Sequence, residues 1–100
     1  MESITINELS KLISRVNIID IRDNYKYNLG TIPSAINVPV SFLLMNPENY
    51  INLEDTYYIF CEYGNTSRRA CMKLYRDGYK VIDVLGGYDE YKRIKDIYKN

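Results

Sequence analysis

One hundred residues suffice for one hydrophobic core and leave no chain for a second, since domains commonly run to about 100–150 residues, so residues 1–100 are expected to form a single domain. Apolar residues at 46% and charged residues at 26% exclude a disordered chain and fit a soluble globular one. Thirteen basic and 13 acidic side chains cancel, which excludes a global field able to recruit nucleic acid or an anionic membrane. No stretch approaches the roughly 20 apolar residues of a membrane span, and the amino terminus lacks the basic start and apolar run of a signal peptide. A cytoplasmic location is expected. Of the two cysteines, Cys61 and Cys71, neither is expected in a structural disulfide there. The absence of histidine excludes a Cys-His nucleophile pair and a histidine metal site, and no ligand cluster implies a metal or organic cofactor.

In chain order, Thr5 with Glu8 three residues later fits a capping box, and Leu9, Leu12 and Ile13 recur at helical spacing, so a short helix begins there. The β-branched run Val16 to Ile21 is too short for a buried helix and predicts a central strand of a parallel sheet, ending at Asp20 and Arg22. Asp23 to Leu29 predicts a brief helix with Gly30 as a left-handed cap, before Ile32-Pro33 enforces extended backbone. A second strand fits Ala35 to Val38, and Pro39 stops it. Ser41 to Met45 then reads as a short apolar helix cut off by Asn46-Pro47.

Tyr57 to Phe60 is the third predicted strand and delivers Cys61 at its carboxyl end. After Gly64-Asn65, Ser67 is expected to cap a helix from Arg68 to Asp77 that Gly78 terminates. Val81 to Leu85 predicts a fourth strand, Gly86-Gly87 a turn, and Tyr88 to Tyr98 a last amphipathic helix. Strands alternating with helices define an α/β domain with a mainly parallel sheet.

The stretch Cys61-Glu62-Tyr63-Gly64-Asn65-Thr66-Ser67-Arg68 carries the chemistry, because reactive groups in open α/β sheets gather at the carboxyl ends of strands. A loop entering a helix aims successive backbone N–H groups inward, and with the helix dipole these form a nest for negative charge. A cysteine at its centre is held as thiolate without a histidine. Cys71 falls on an apolar helical face with Leu74 and Tyr75 and reads as core. Asp20 and Arg22 read as a supporting ion pair, and Tyr63 as the one tyrosine placed to shape a donor pocket.

These segments resemble the rhodanese family. The loop CEYGNTS resembles its active loop; IIDIRD followed by LGTIPSAINVP resembles its Asp-Arg strand and the segment after it; GYKVIDVLGGYDEY resembles its closing signature. The resemblance runs from about Ile18 to Tyr91 and implies a rhodanese-like three-layer fold, a central mainly parallel sheet of four to five strands with helices on both faces. It also implies a sulfurtransferase of the thiosulfate sulfurtransferase class. In such an enzyme the Cys61 thiolate takes a sulfane sulfur from a small-molecule donor, holds it as a persulfide cradled by residues 62 to 67, and passes it to a thiol, cyanide-type or protein acceptor.

The six-residue loop from Cys61 through Thr66 is the length the family associates with sulfur; related phosphatases have one residue more. Glu62 and Thr66 stand where thiosulfate users of the family carry basic residues, which favours a persulfide donor over the thiosulfate dianion. Arg68 and Arg69, just past the loop, are the nearest candidates to restore positive charge. Thr31 and Ser34 replace the family's usual histidine and glycine at positions that are mainly structural. Two competing readings remain: a non-catalytic module of this fold that binds a partner protein, and a phosphatase or arsenate reductase, which the short loop without a clamping arginine disfavours.

Overall fold

The computed structural model describes residues 1–98. Five strands, β1 (Glu2–Ile4), β2 (Asn17–Asp20), β3 (Ile36–Asn37), β4 (Thr56–Phe60) and β5 (Lys80–Val84), form one sheet in the order β1-β5-β4-β2-β3. Every pairing is parallel, with Ile19 beside Ile59 and Ile59 beside Asp83 in the central ladder. The helices are α1 (Ile6–Ser10), α2 (Asn24–Leu29), α3 (Val40–Met45), α4 (Asn65–Arg76) and α5 (Gly87–Tyr98), with a 3-10 turn at Pro47–Asn49. None of the described helices is long and apolar enough to cross a membrane.

Because side chains alternate across a strand, the sheet divides its apolar residues between two faces. Ile19, Ile21, Ile59, Cys61 and Val81 pack with Leu43 of α3 and with Ala70, Cys71 and Leu74 of α4. Ile18, Phe60 and Val84 pack on the other face with Ile6 and Leu9 of α1, and Tyr88, Tyr91 and Ile94 of α5 lie against them. The result is the expected layered arrangement, with helices on both faces of the sheet. Burial of most of β2 and β4 on both faces explains why these strands read as near-continuous apolar runs.

The structure departs from the sequence reading at several points. Five strands fall within the four to five expected, but the chain-order reading did not place β1 at the sheet edge; its Glu-Ser-Ile sequence is short and largely exposed, so it carries no strand signal. The second predicted strand shrinks to Ile36–Asn37. Gly30 is not left-handed: its φ of 160° and ψ of 145° are extended, and glycine is needed because a Cβ would overlap Tyr88 Oη. Ser67 does not cap α4. The helix begins at Asn65, and Gly64 occupies the cap position with φ 110°, a left-handed conformation that glycine adopts without strain. Tyr75 is more than half exposed rather than on the buried face with Cys71 and Leu74. The capping box holds: Thr5 and Glu8 exchange side-chain to backbone hydrogen bonds at the start of α1.

The phase of α4 is directly testable. Leu74→Ala, which empties a fully buried position, should cost about 2–5 kcal/mol in urea denaturation, whereas Tyr75→Ala should stay within roughly 0.5 kcal/mol of wild type; equal effects would contradict the assigned face.

Candidate active site

Strand β4 ends at Phe60, and Cys61 follows at the carboxyl edge of the sheet, 6% exposed. The chain then turns through Glu62 and Tyr63 to Gly64, whose positive φ reverses it into α4. That reversal aims backbone amides at the sulfur: Gly64 N–H donates to Cys61 Sγ at 3.1 Å and Ser67 N–H at 3.3 Å. Two donors converge on one sulfur, the second from the first turn of a 12-residue helix, so dipole and hydrogen bonds both favour negative charge there.

The loop keeps this orientation because its carbonyls are engaged on the far side. Tyr88 N–H and Asp89 N–H, the opening amides of α5, donate to the carbonyls of Cys61 and Glu62, each at 2.9 Å. Gly87 makes this approach possible. Its φ is 63°, and a Cβ there would overlap both carbonyl oxygens. The Gly86-Gly87 turn is therefore more than a connection between β5 and α5; it lies against the Cys61 loop and leaves room for these two hydrogen bonds.

Ser67 is fully buried, and its hydroxyl turns away from the sulfur, 2.7 Å from Asp83 Oδ1 and 3.2 Å from the Gly64 carbonyl. Burial pushes the Asp83 carboxyl above the usual carboxylate range, against the Ser67 hydrogen bond and the charge of Arg68, which act the other way. Cys71 is fully buried, and its thiol is pushed up to about 12, first by burial and then by Asp83 and Cys61, so it remains a neutral core residue as expected.

Asp20 and Arg22 form the expected pair, and the pair proves to be a hub. Arg22 Nε and Nη2 engage both Asp20 carboxylate oxygens, at 3.0 and 2.8 Å, and Nη2 also donates to the Gly30 carbonyl at 2.6 Å. Nη1 reaches Glu62 Oε1 at 3.3 Å, and the guanidinium lies 4.1 Å from the Tyr88 ring centroid. Burial opposes the guanidinium charge, but Asp20 and Glu62 outweigh it and raise the Arg22 pKa above its ordinary value. Thr31 Oγ1 donates to Asp20 Oδ2 at 2.8 Å, a structural use for that position. Ser34 adopts φ 72° where the resembled motif has glycine.

Of the other loop residues, Tyr63 is 70% exposed, Asn65 exposed and Thr66 half-buried. Glu62 does not project a free charge: its carboxylate pairs with Arg22 and lies 3.9 Å from Lys26 Nζ. Arg68 and Arg69 are exposed near the start of α4. Sequence reasoning missed Asp83, although an acid in the apolar run Val81-Ile82-Asp83-Val84 was a visible anomaly. It also missed the role of Gly87 in backing the loop, which depends on contacts between segments about 26 residues apart.

A parallel α/β sheet with helices on both faces, presenting a strand-end cysteine to converging loop amides, defines the class of domain. The family model for the rhodanese-like domain matches residues 5–94, and the chain belongs to that family. Among curated relatives, it is 34% identical over 86 residues to the adenylyltransferase and sulfurtransferase UBA4 of Yarrowia lipolytica, covering 84% of this chain and 22% of that protein. It is 30% identical over 77 residues to the putative sulfur carrier protein YrkF of Bacillus subtilis, covering 76% of this chain and 41% of that one. The chain thus spans 22% of one of these relatives and 41% of the other. Among solved structures, SSP1007 of Staphylococcus saprophyticus superposes with a TM-score of 0.83 at 36% identity, covering 91% of this chain and 93% of the other. The human single-domain sulfurtransferase TSTD1 superposes at 0.74 with 25% identity, covering 93% and 96%.

Gly87→Ala tests the loop's backing. The substitution should destabilise the fold by about 1–3 kcal/mol through positive-φ strain and displaced carbonyls, and slow iodoacetamide alkylation of Cys61 at neutral pH. Unchanged alkylation in the folded variant would mean that α5 does not hold the loop.

Proposed function

We propose that this domain is a sulfurtransferase that moves a sulfane sulfur from a donor to a thiol, cyanide-type or protein acceptor, with Cys61 as the nucleophile. The observation that carries the reading is the convergence of the Gly64 and Ser67 amides on Cys61 Sγ in a chain without histidine. Family membership and relatives named for sulfur transfer and sulfur carriage support it.

In the first half-reaction the Cys61 thiolate attacks the outer sulfur of the donor. A bond forms between Cys61 Sγ and that sulfur, the donor's sulfur–sulfur bond breaks, and its electron pair leaves on the donor as thiolate or, from thiosulfate, as sulfite. Cys61 then carries a persulfide whose terminal sulfur is anionic and lies within the cradle of residues 62 to 67. In the second half-reaction an acceptor nucleophile bonds to the terminal sulfur, the persulfide bond breaks, and the Cys61 thiolate returns. Asp20 and Arg22 support the loop from below rather than touching substrate.

The preferred donor on this reading is a persulfide of low charge rather than thiosulfate. Thr66 offers no cation to a dianion, and Arg68 is exposed to solvent. Glu62 opposes thiosulfate less than its formal charge suggests, because Arg22 and Lys26 answer much of that charge; the missing loop cation, more than Glu62, disfavours thiosulfate. A reducing cytoplasmic setting fits two buried cysteines that are both free.

Intact-protein mass after incubation with a glutathione persulfide donor, and separately with thiosulfate, tests the reading. The expected result is a gain of one sulfur atom that requires Cys61, fails in Cys61→Ser, is greater with the persulfide and is released by cyanide. No gain with either donor would point to a partner-binding module instead.

A further inference from the structure

Asp83 lies inside β5 on the face that packs against α4, in register with Ile59 of β4 and Ser3 of β1, and is 1% exposed. Among the described residues its carboxyl has one side-chain hydrogen-bond partner, Ser67 Oγ. Ser67 is also the residue whose amide lies 3.3 Å from Cys61 Sγ. One serine therefore separates a buried acid from the candidate nucleophile.

The serine hydroxyl has one proton and two acceptors within reach, Asp83 Oδ1 and the Gly64 carbonyl. When Asp83 is neutral, its O–H donates to Ser67 Oγ, and the serine proton passes to the Gly64 carbonyl. When Asp83 is ionised, the serine proton turns to the carboxylate, and the Gly64 carbonyl keeps only the amide of Arg68, at 3.1 Å. The state of Asp83 thus reaches the sulfur's donors through Ser67, whose own amide contacts the sulfur, and through the Gly64–Asn65 peptide, which adjoins the Gly64 amide.

The other titratable and charged groups around Asp83 are few. Across Ser67 stands Cys61; on α4, Cys71 stays neutral and Arg68 supplies a solvent-exposed positive charge. From β4 this face receives Tyr57, whose hydroxyl accepts from the Asn52 amide, and Tyr79 packs against the same core. β1 presents Ser3 in register, and α3 has no charged residue. The principal like-charge interaction open to ionised Asp83 is therefore with an anionic sulfur at Cys61.

Resting on the sulfur-transfer reading, we propose that Asp83 is a positioning residue that sets the pH range in which Cys61 is reactive: neutral, it supports the cradle through Ser67; ionised, it places a like charge behind the cradle and opposes a negative sulfur. Burial, which favours its neutral form, extends the supporting state toward neutral pH.

The test is the pH profile of iodoacetamide alkylation at Cys61 in wild type and Asp83→Asn. The amide still donates to Ser67 Oγ but carries no charge. The profile midpoint should fall by on the order of one pH unit, with several-fold faster alkylation at neutral pH. A residue that only holds the fold would lower Tm and leave the midpoint in place; an unchanged midpoint in folded Asp83→Asn overturns the proposal. Should that variant not fold, the Asp83 carboxyl is titrated by carbon-13 NMR in Cys61→Ser and Cys61→Asp. A higher midpoint beside the introduced carboxylate supports the coupling, and equal midpoints overturn it. Neither readout uses a sulfur donor, so failed sulfur loading would defeat the sulfur-transfer reading without altering this result.

Discussion

The hydrogen bonds from the Tyr88 and Asp89 amides to the carbonyls of Cys61 and Glu62 are the constraint on which the site depends. A peptide unit turns as a whole, so fixing these two carbonyls on the α5 side aims the Glu62 and Tyr63 amides the other way and sets the direction in which the chain enters the Gly64 turn, from which the Gly64 and Ser67 amides reach the sulfur. The constraint is long-range: it joins the end of β4 to the start of α5, and it exists only because β5 lies beside β4 and Gly87 has no side chain. Sheet order, the glycine and the cradle are one arrangement. A thiolate or persulfide there meets hydrogen-bond donors already in place, without reorganisation of solvent.

Arg22 serves the same end from the other side. Its guanidinium joins Asp20 at the end of β2, the Gly30 carbonyl beyond α2, Glu62 in the loop and the Tyr88 ring on α5. A buried ion pair is weak evidence of net stability, since desolvation offsets much of its attraction. Its value here is registry. Planar donors in fixed directions leave the four segments little freedom to slide, which a packed apolar side chain would allow. The paired state of Glu62 also means that the loop's formal charge, counted along the chain, overstates the field met by a donor.

The central strands, most of the helices and the strand-end position of the candidate nucleophile Cys61 were legible in the sequence, because those depend on local periodicity, caps and a motif. Ile18, Ile19, Ile59 and Phe60 are apolar on both faces of the sheet, and that pattern announces a buried parallel strand. What stayed hidden rests on contacts between distant segments. β1 becomes a strand only by pairing with β5; Gly30 is glycine because of Tyr88 rather than a turn; and Ser67 lies inside α4 because Gly64 takes the cap position. In the sequence Glu62 is an acid with no visible partner, and only the fold puts Arg22, 40 residues earlier, beside it. Local propensity cannot see such partners.

The central claim is that the Gly64 and Ser67 amides hold the charge of a sulfur carried on Cys61. The most direct test is the proton–nitrogen NMR correlation spectrum before and after loading with a persulfide donor. The account predicts that the Gly64 and Ser67 amide proton resonances move most and downfield, and that they return when cyanide removes the sulfur. Loading at Cys61 that leaves both resonances in place would contradict it.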